Sequence, residues 1–94
     1  MNQEIGEIIT AIPQGCIFDS HFIIARLIKL HPSDYLLFAG SNVAVVKKTP
    51  ITHGLLAKQL NSFRRRGVIS RLEFQSYSEN ITGKPSKCAC WIKQ

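Results

Sequence analysis

The chain has 94 residues, 45% of them hydrophobic, and three cysteines. That length and content suit one domain around one core, and exclude two domains. Cys16, Cys88 and Cys90 are odd in number and lack framework spacing, which suits a reducing compartment better than a disulfide scaffold. No run approaches the roughly 20 apolar residues that a membrane span needs. The opening MNQEIGEI carries two glutamates where a secretory leader would be positive, so the expectation is a cytoplasmic protein. The net charge of +6 is unevenly spread. Residues 1–46 set Arg26 and Lys29 against Glu4, Glu7, Asp19 and Asp34, a balance of −2. Residues 47–94 set ten cations against Glu73 and Glu79 alone, a balance of +8. Such asymmetry points to a polyanionic partner, nucleic acid before an acidic protein or an anionic lipid surface.

In chain order, Ile5, Ile8, Ile9 and Ile12 follow the i, i+3, i+4, i+7 template and predict a helix over 3–12, ended by Pro13 and Gly15. Cys16, Ile17 and Phe18 form a short extended run, 16–18, long enough to pair with a hairpin. Asp19 or Ser20 caps the next helix, 20–30, whose apolar positions Phe22, Ile23, Ile24, Leu27, Ile28 and Leu30 cover more than one face and predict deep burial. His31, Pro32 and Ser33 interrupt it. Residues 34–39 then read as a short helix with Tyr35, Leu36 and Phe38 inward and Gly40 as its stop. Val43 to Val46 is β-prone but bracketed by Ser41, Asn42, Lys47 and Lys48, and fits a short strand or an ordered loop equally.

The stretch TPITHGLLAKQLNSFRRRG reads as a cationic helix over 52–66. Thr52 is placed as its N-cap, Ile51 to staple onto Leu56, and Gly67 as its stop after three arginines. Leu56, Leu60 and Phe63 make an apolar stripe, with Leu55 beside it, and leave His53, Ala57, Lys58, Asn61, Arg64 and Arg65 facing outward. A β-hairpin over 68–78 and 87–93 follows. Val68, Leu72 and Phe74 are expected on one face, and residues 78–87, with Asn80, Gly83, Pro85, Lys84 and Lys87, make its basic tip.

This order of elements, together with the charge, resembles the winged helix-turn-helix DNA-binding superfamily over most of the chain. The resemblance implies a small α+β winged-helix domain with 52–66 as recognition helix, 78–87 as wing tip and 16–18 as the small strand beside the wing. It departs from the pattern in one place: 21 residues separate Leu30 from Thr52, and either the helix at 34–39 precedes the recognition helix or the segment is an insertion. In such domains the outer face of the recognition helix enters the major groove. His53, Lys58 and Asn61 would then lie nearest base edges. Arg64, Arg65 and Arg66 would meet phosphate, Lys84 and Lys87 on the wing would grip the backbone or the minor groove, and Lys47 and Lys48 would join the nucleic-acid-binding set.

The competing chemistries are poorer. Arginines at a helix C-terminus also stabilise the macrodipole, but that explains neither Lys47, Lys48, Lys84 nor Lys87. Cys88 and Cys90 with Cys16 and His21 or His31 would make four zinc ligands, yet no second cysteine pair is present; cysteines alternating along a strand read as small buried hydrophobes. Scattered acids and isolated histidines, with no glycine-rich phosphate loop, give no catalytic constellation. Tyr77 and Trp91 have rings that can stack on bases, but in a hairpin they are expected more often to pack on each other or on the core. The expectation is a non-enzymatic regulator, transcriptional or of mobile-element type, that binds double-stranded DNA without cofactor or metal, is nucleoid-associated, and has an apolar first helix suited to a homodimer face. The alternative is a winged-helix-like interaction module for an acidic protein.

Overall fold

Four isoleucines at helical spacing set the first element. A computed structural model describes residues 1–42, 48–80 and 83–94, with the side chains of 38–42 and 48–55 left aside. In it, α1 (Asn2–Ala11) buries Ile5, Ile8 and Ile9, and Ile12 behind its last turn. Lys93, from the far end of the chain, closes this helix: its Nζ donates to the carbonyls of Ile9 and Ile12 at 2.9 Å each. A cation placed on orphan carbonyls satisfies them and opposes the negative end of the helix dipole.

Strand β1 (Ile17–Asp19) lies one residue later than 16–18, because Asp19 still pairs with Cys90 before its side chain caps the next helix. Helix α2 (Ser20–Leu30) starts where Asp19 Oδ1 accepts from the Phe22 amide at 2.8 Å. Its Ser20, Ile23, Ile24 and Leu27 are buried, in keeping with the deep burial expected of it, while Phe22 and Leu30 of its apolar positions are exposed.

The next helix is longer than 34–39. In α3 (Pro32–Asn42), Pro32 takes the first helical position, where an absent N–H costs nothing, so His31 alone separates it from α2. Tyr35 is buried, whereas Leu36, expected inward, is 68% exposed, since adjacent helical positions point about 100° apart. Phe38 and the β-prone run 43–46 fall outside the described residues.

Helix α4 (Lys48–Arg65) corrects the placement of Thr52 as an N-cap. Thr52 is inside the helix, and Pro50 occupies its first turn, where amide N–H groups have no intrahelical partner in any case. The gap of 21 residues therefore shrinks to the five residues 43–47 between α3 and α4. At the other end Gly67, at φ 77°, makes the expected stop. Its amide bonds Arg64 O and that of Val68 bonds Phe63 O, a Schellman closure.

Strands β2 (Ile69–Glu79) and β3 (Pro85–Lys93) form the hairpin, and β3 is central in an antiparallel sheet of order β1-β3-β2. The connection is therefore 80–84, not 78–87, and Lys87 stands on a strand. Arg71 faces Trp91 and Gln75 faces Ala89, so β2 carries two extra residues there. That irregularity breaks the alternation expected for Val68, Leu72 and Phe74: Phe74 is exposed and Ile69 is the fully buried position. Among the described residues the protein is thus an α+β domain of four helices and one three-stranded sheet, and no helix is long and apolar enough to cross a membrane.

The core joins α1, α2, α4 and the sheet through Ile5, Ile9, Ile23, Leu27, Leu56, Leu60, Ile69 and Trp91, all essentially inaccessible. The Trp91 indole is the polar atom most at risk in that setting. Its Nε1 donates to Ser20 Oγ at 3.1 Å, and Ser20 passes its own proton to Ala89 O at 3.5 Å, on the edge of β3 that β1 leaves free. Removing the hydroxyl leaves a buried N–H without a partner, which costs about 1–3 kcal/mol. Ser20→Ala is therefore expected to lower stability by about that amount in urea unfolding followed by Trp91 fluorescence, while Ser20→Thr, which keeps the hydroxyl, retains more of it.

Candidate nucleic-acid interface

The buried stripe of α4 fixes what the rest of the helix presents. With Leu56, Leu60 and Phe63 inward, Lys58, Asn61 and Arg65, at i, i+3 and i+7, share the outer face. Lys58 and Arg65 are exposed and Asn61 is half-buried. Ala57 and Arg64, also seven apart, lie on one flank, and Ala57 lines a cleft of about 220 Å³ with His21, Lys87 and Cys88. Helix α4 and strand β3 therefore stand side by side across that cleft, with Lys87 exposed at its margin.

The three consecutive arginines do not act as one cluster. Successive positions fan around the helix by about 100° each. Arg64 points toward the hairpin flank and Arg65 outward. Arg66 lies over the Phe63 ring, 4.4 Å from its centre, in a cleft shared with Asn2, Gln3 and Thr10 of α1. Helical geometry thus puts Lys58, Asn61 and Arg65 on the outer face, Arg64 on the flank of Ala57, which borders the cleft with Lys87, and Arg66 on the opposite flank. Lys48 is in the first turn of α4, but its side chain and that of His53 lie outside the described ones, as does Lys47 altogether.

The hairpin supplies two features that sequence reasoning missed. Tyr77, expected to pack, is exposed, directly across the strands from Lys87. The signal is local: Gln75, Tyr77 and Glu79 alternate with Ser76 and Ser78, and it is the serines that turn inward. Asn80, read only as a turn former, clamps the tip. Its amide donates to Lys84 O at 2.9 Å and its Oδ1 accepts from the Lys84 amide at 3.2 Å, which holds Lys84 exposed.

A chain of polar contacts then fastens the hairpin to α2. Ser76 and Ser78 donate to Asp19 Oδ2 at 2.6 and 2.8 Å. Because Ser78 has given its single proton to the carboxylate, it accepts from His21 Nδ1, 2.8 Å away, and His21 Nε2 pairs with Ser86 Oγ at 3.3 Å. Asn80 Nδ2 completes the line by donating to Ser86 Oγ at 3.3 Å. His21, an ordinary position beside a cap when read from sequence, is a joint between elements 57 and 65 residues apart. These contacts orient the strand that carries Lys87 and the turn that carries Lys84.

The electrostatics favour an anionic partner. Among the described residues, the ion pairs are Met1 N with Glu4 and His31 with Glu7 and Asp34; none contains a lysine or arginine. Lys93 is engaged by α1, but Lys58, Arg64, Arg65, Lys84 and Lys87 have no described carboxylate within 4.0 Å. Burial pushes the Cys90 thiol up, helped by the nearby Asp19 charge, so it stays a protonated hydrophobe; Cys88 is half-buried and Cys16 exposed. Among the described residues no three His, Cys, Asp or Glu side chains are grouped to hold a metal ion. No protein-family model matches the chain, and neither a curated protein nor a solved structure matches it.

Asp19 also carries a testable pH dependence. Burial alone would raise its pKa, but the hydrogen bonds from Ser76, the Phe22 amide and Ser78 outweigh that and hold it below the ordinary 3.8. A depressed carboxyl stabilises the fold fully above its unfolded value, and that contribution is lost as pH falls through the folded one. Asp19→Ala is expected to cost about 1–2 kcal/mol at neutral pH, the scale of a missing N-cap. In urea unfolding the gap to the parent chain stays constant down to about pH 5 and narrows below 3.8. A gap undiminished at about pH 3 would assign the loss to shape rather than charge.

Proposed function

We propose that this chain is a winged-helix protein that binds double-stranded DNA, with α4 in the major groove and the hairpin on the adjacent backbone. The observation that carries the reading is a set of cations without acidic partners among the described residues on two neighbouring elements: Lys58, Arg64 and Arg65 on α4, and Lys84 and Lys87 on the hairpin. An isolated fold gains nothing from leaving these charges together, since they repel one another, whereas phosphates spaced along a duplex neutralise them and release counterions.

The arrangement of elements supports the same reading. Three helices follow β1, the last two separated by only five residues, and β1 lies beside the hairpin in the sheet. Helix α3 then takes the place before the recognition helix. Asn61, between Lys58 and Arg65 on the outer face, has the amide that pairs bidentately with adenine. Tyr77 adds an aromatic edge beside Lys87 for sugar and phosphate contact. A regulator of transcription or of a mobile element is the role such a small reader fits.

The test is fluorescence anisotropy with a random duplex of about 20 base pairs at salt from about 50 to 200 mM. The parent chain binds at low salt and loses affinity steeply, while the combined Lys58→Ala, Arg64→Ala and Arg65→Ala variant flattens the log–log slope by about 2–3, roughly 0.9 for each phosphate no longer neutralised. Absence of binding at low salt, or a slope that the triple variant leaves unchanged, defeats the proposal. Displacement of DNA by polyglutamate of equal charge would instead favour an acidic protein as the partner.

A further inference from the structure

Helix α1 carries a glycine, Gly6, in its interior, where every residue but proline is more favourable. Packing does not require it. A Cβ at this position would rest 3.6 Å from Cε1 and Cζ of Phe63, an ordinary van der Waals contact, so an alanine would gain helix propensity and touch the core without strain. What the missing side chain leaves is the floor of a cleft of about 550 Å³ between α1 and the end of α4, lined on the far side by Ser62, Phe63, Arg66 and Val68. A cleft of that size accepts a small molecule.

The walls hold polar groups that the fold does not use. Thr10 donates its hydroxyl to the Gly6 carbonyl at 2.8 Å. Gln3, Ser62 and Arg66 line the same cleft, and their side chains have no hydrogen-bond or ion-pair partner among the described residues. The Arg66 guanidinium lies over the Phe63 ring, 4.4 Å from its centre, which occupies one face of the group and leaves its N–H fork free. A fork held in place by an aromatic ring pairs with a carboxylate through two parallel hydrogen bonds, at little further ordering cost.

We infer that this cleft binds a small organic carboxylate with a flat apolar body. The carboxylate pairs with the Arg66 fork, the Gln3 amide and the Ser62 hydroxyl supply further donors, and the body lies over Gly6 against Val68. The apolar floor favours such a ligand over a bare phosphate, and the unpaired guanidinium favours it over a neutral ring. None of Lys58, Arg64, Arg65, Lys84 and Lys87 lines the cleft, so its occupancy is independent of the DNA reading.

Sodium benzoate is the probe, titrated to about 20 mM into the full isotope-labelled chain by NMR, without nucleic acid and at constant ionic strength. Saturable shifts are expected at the Gly6 and Val68 amides and at Arg66 Nε, with a Kd of about 1–5 mM. Benzamide, with the ring but no charge, and inorganic phosphate, with charge but no ring, each bind at least about fivefold more weakly. Arg66→Lys, which keeps the charge and loses the fork, weakens benzoate at least about fivefold. Gly6→Leu fills the floor and abolishes the shifts at Val68 and Arg66, while Gly6→Ala unfolds in urea no earlier than the parent. No saturable shift at these positions, benzamide or phosphate binding as tightly as benzoate, or benzoate affinity unchanged by Arg66→Lys overturns the inference. A folded Gly6→Leu variant that still binds, or a Gly6→Ala variant less stable than the parent, overturns it as well.

Discussion

Three consecutive residues hold the helices to the sheet. Asp19 ends β1, caps α2 and accepts from two serines of β2. Ser20 receives the indole proton of Trp91. His21 bridges Ser78 and Ser86 on the two strands of the hairpin. Each bond alone is modest, about 1 kcal/mol, but each replaces an otherwise unpaired group in a partly buried place, where the penalty for omission is larger than the gain. An antiparallel hairpin is marginal when isolated. Here its serines are fixed by a helix N-terminus.

The charge distribution has a second logic. The acids of the first half are used locally: Glu4 meets the amino terminus, Glu7 and Asp34 flank His31, and Asp19 binds hydroxyls. None of them neutralises the cations of α4 or the hairpin among the described residues. Lys93 shows the contrast, since its ammonium is committed to two carbonyls of α1. Cations that the fold uses and cations that it leaves free are thus distinguished by their neighbours, not by their number.

Much of the architecture is legible in the sequence because it rests on local periodicity. The isoleucines of α1, the stripe Leu56, Leu60 and Phe63, the cap at Asp19 and the stop at Gly67 each satisfy a rule spanning a few residues, and the structure keeps them. Thr52 misleads because it satisfies the same kind of rule: a threonine followed by an apolar run looks like a cap, although a helix already begun at Lys48 passes through it. The extra residues of β2 and the exposure of Leu36 depend on what packs against them, and carry no local mark. In the candidate interface, Lys58, Asn61, Arg64, Arg65, Lys84 and Lys87 are visible as charges or amides. The divergence of Arg66, the exposure of Tyr77 and the joint at His21 arise from contacts that a period of two or 3.6 cannot encode.

The central position of β3 has a consequence for how the molecule assembles. It is the last strand in chain order, yet β1 and β2 bond only to it and never to each other. Its Lys93 also closes α1, across 84 residues to the carbonyl of Ile9. The sheet therefore cannot grow strand by strand during synthesis: until β3 leaves the ribosome, β1 has no ladder partner and α1 has two uncapped carbonyls. Loop closure over that distance must be met before the pairing can reward it. Placing this one strand therefore completes the sheet and closes the first helix in the same step.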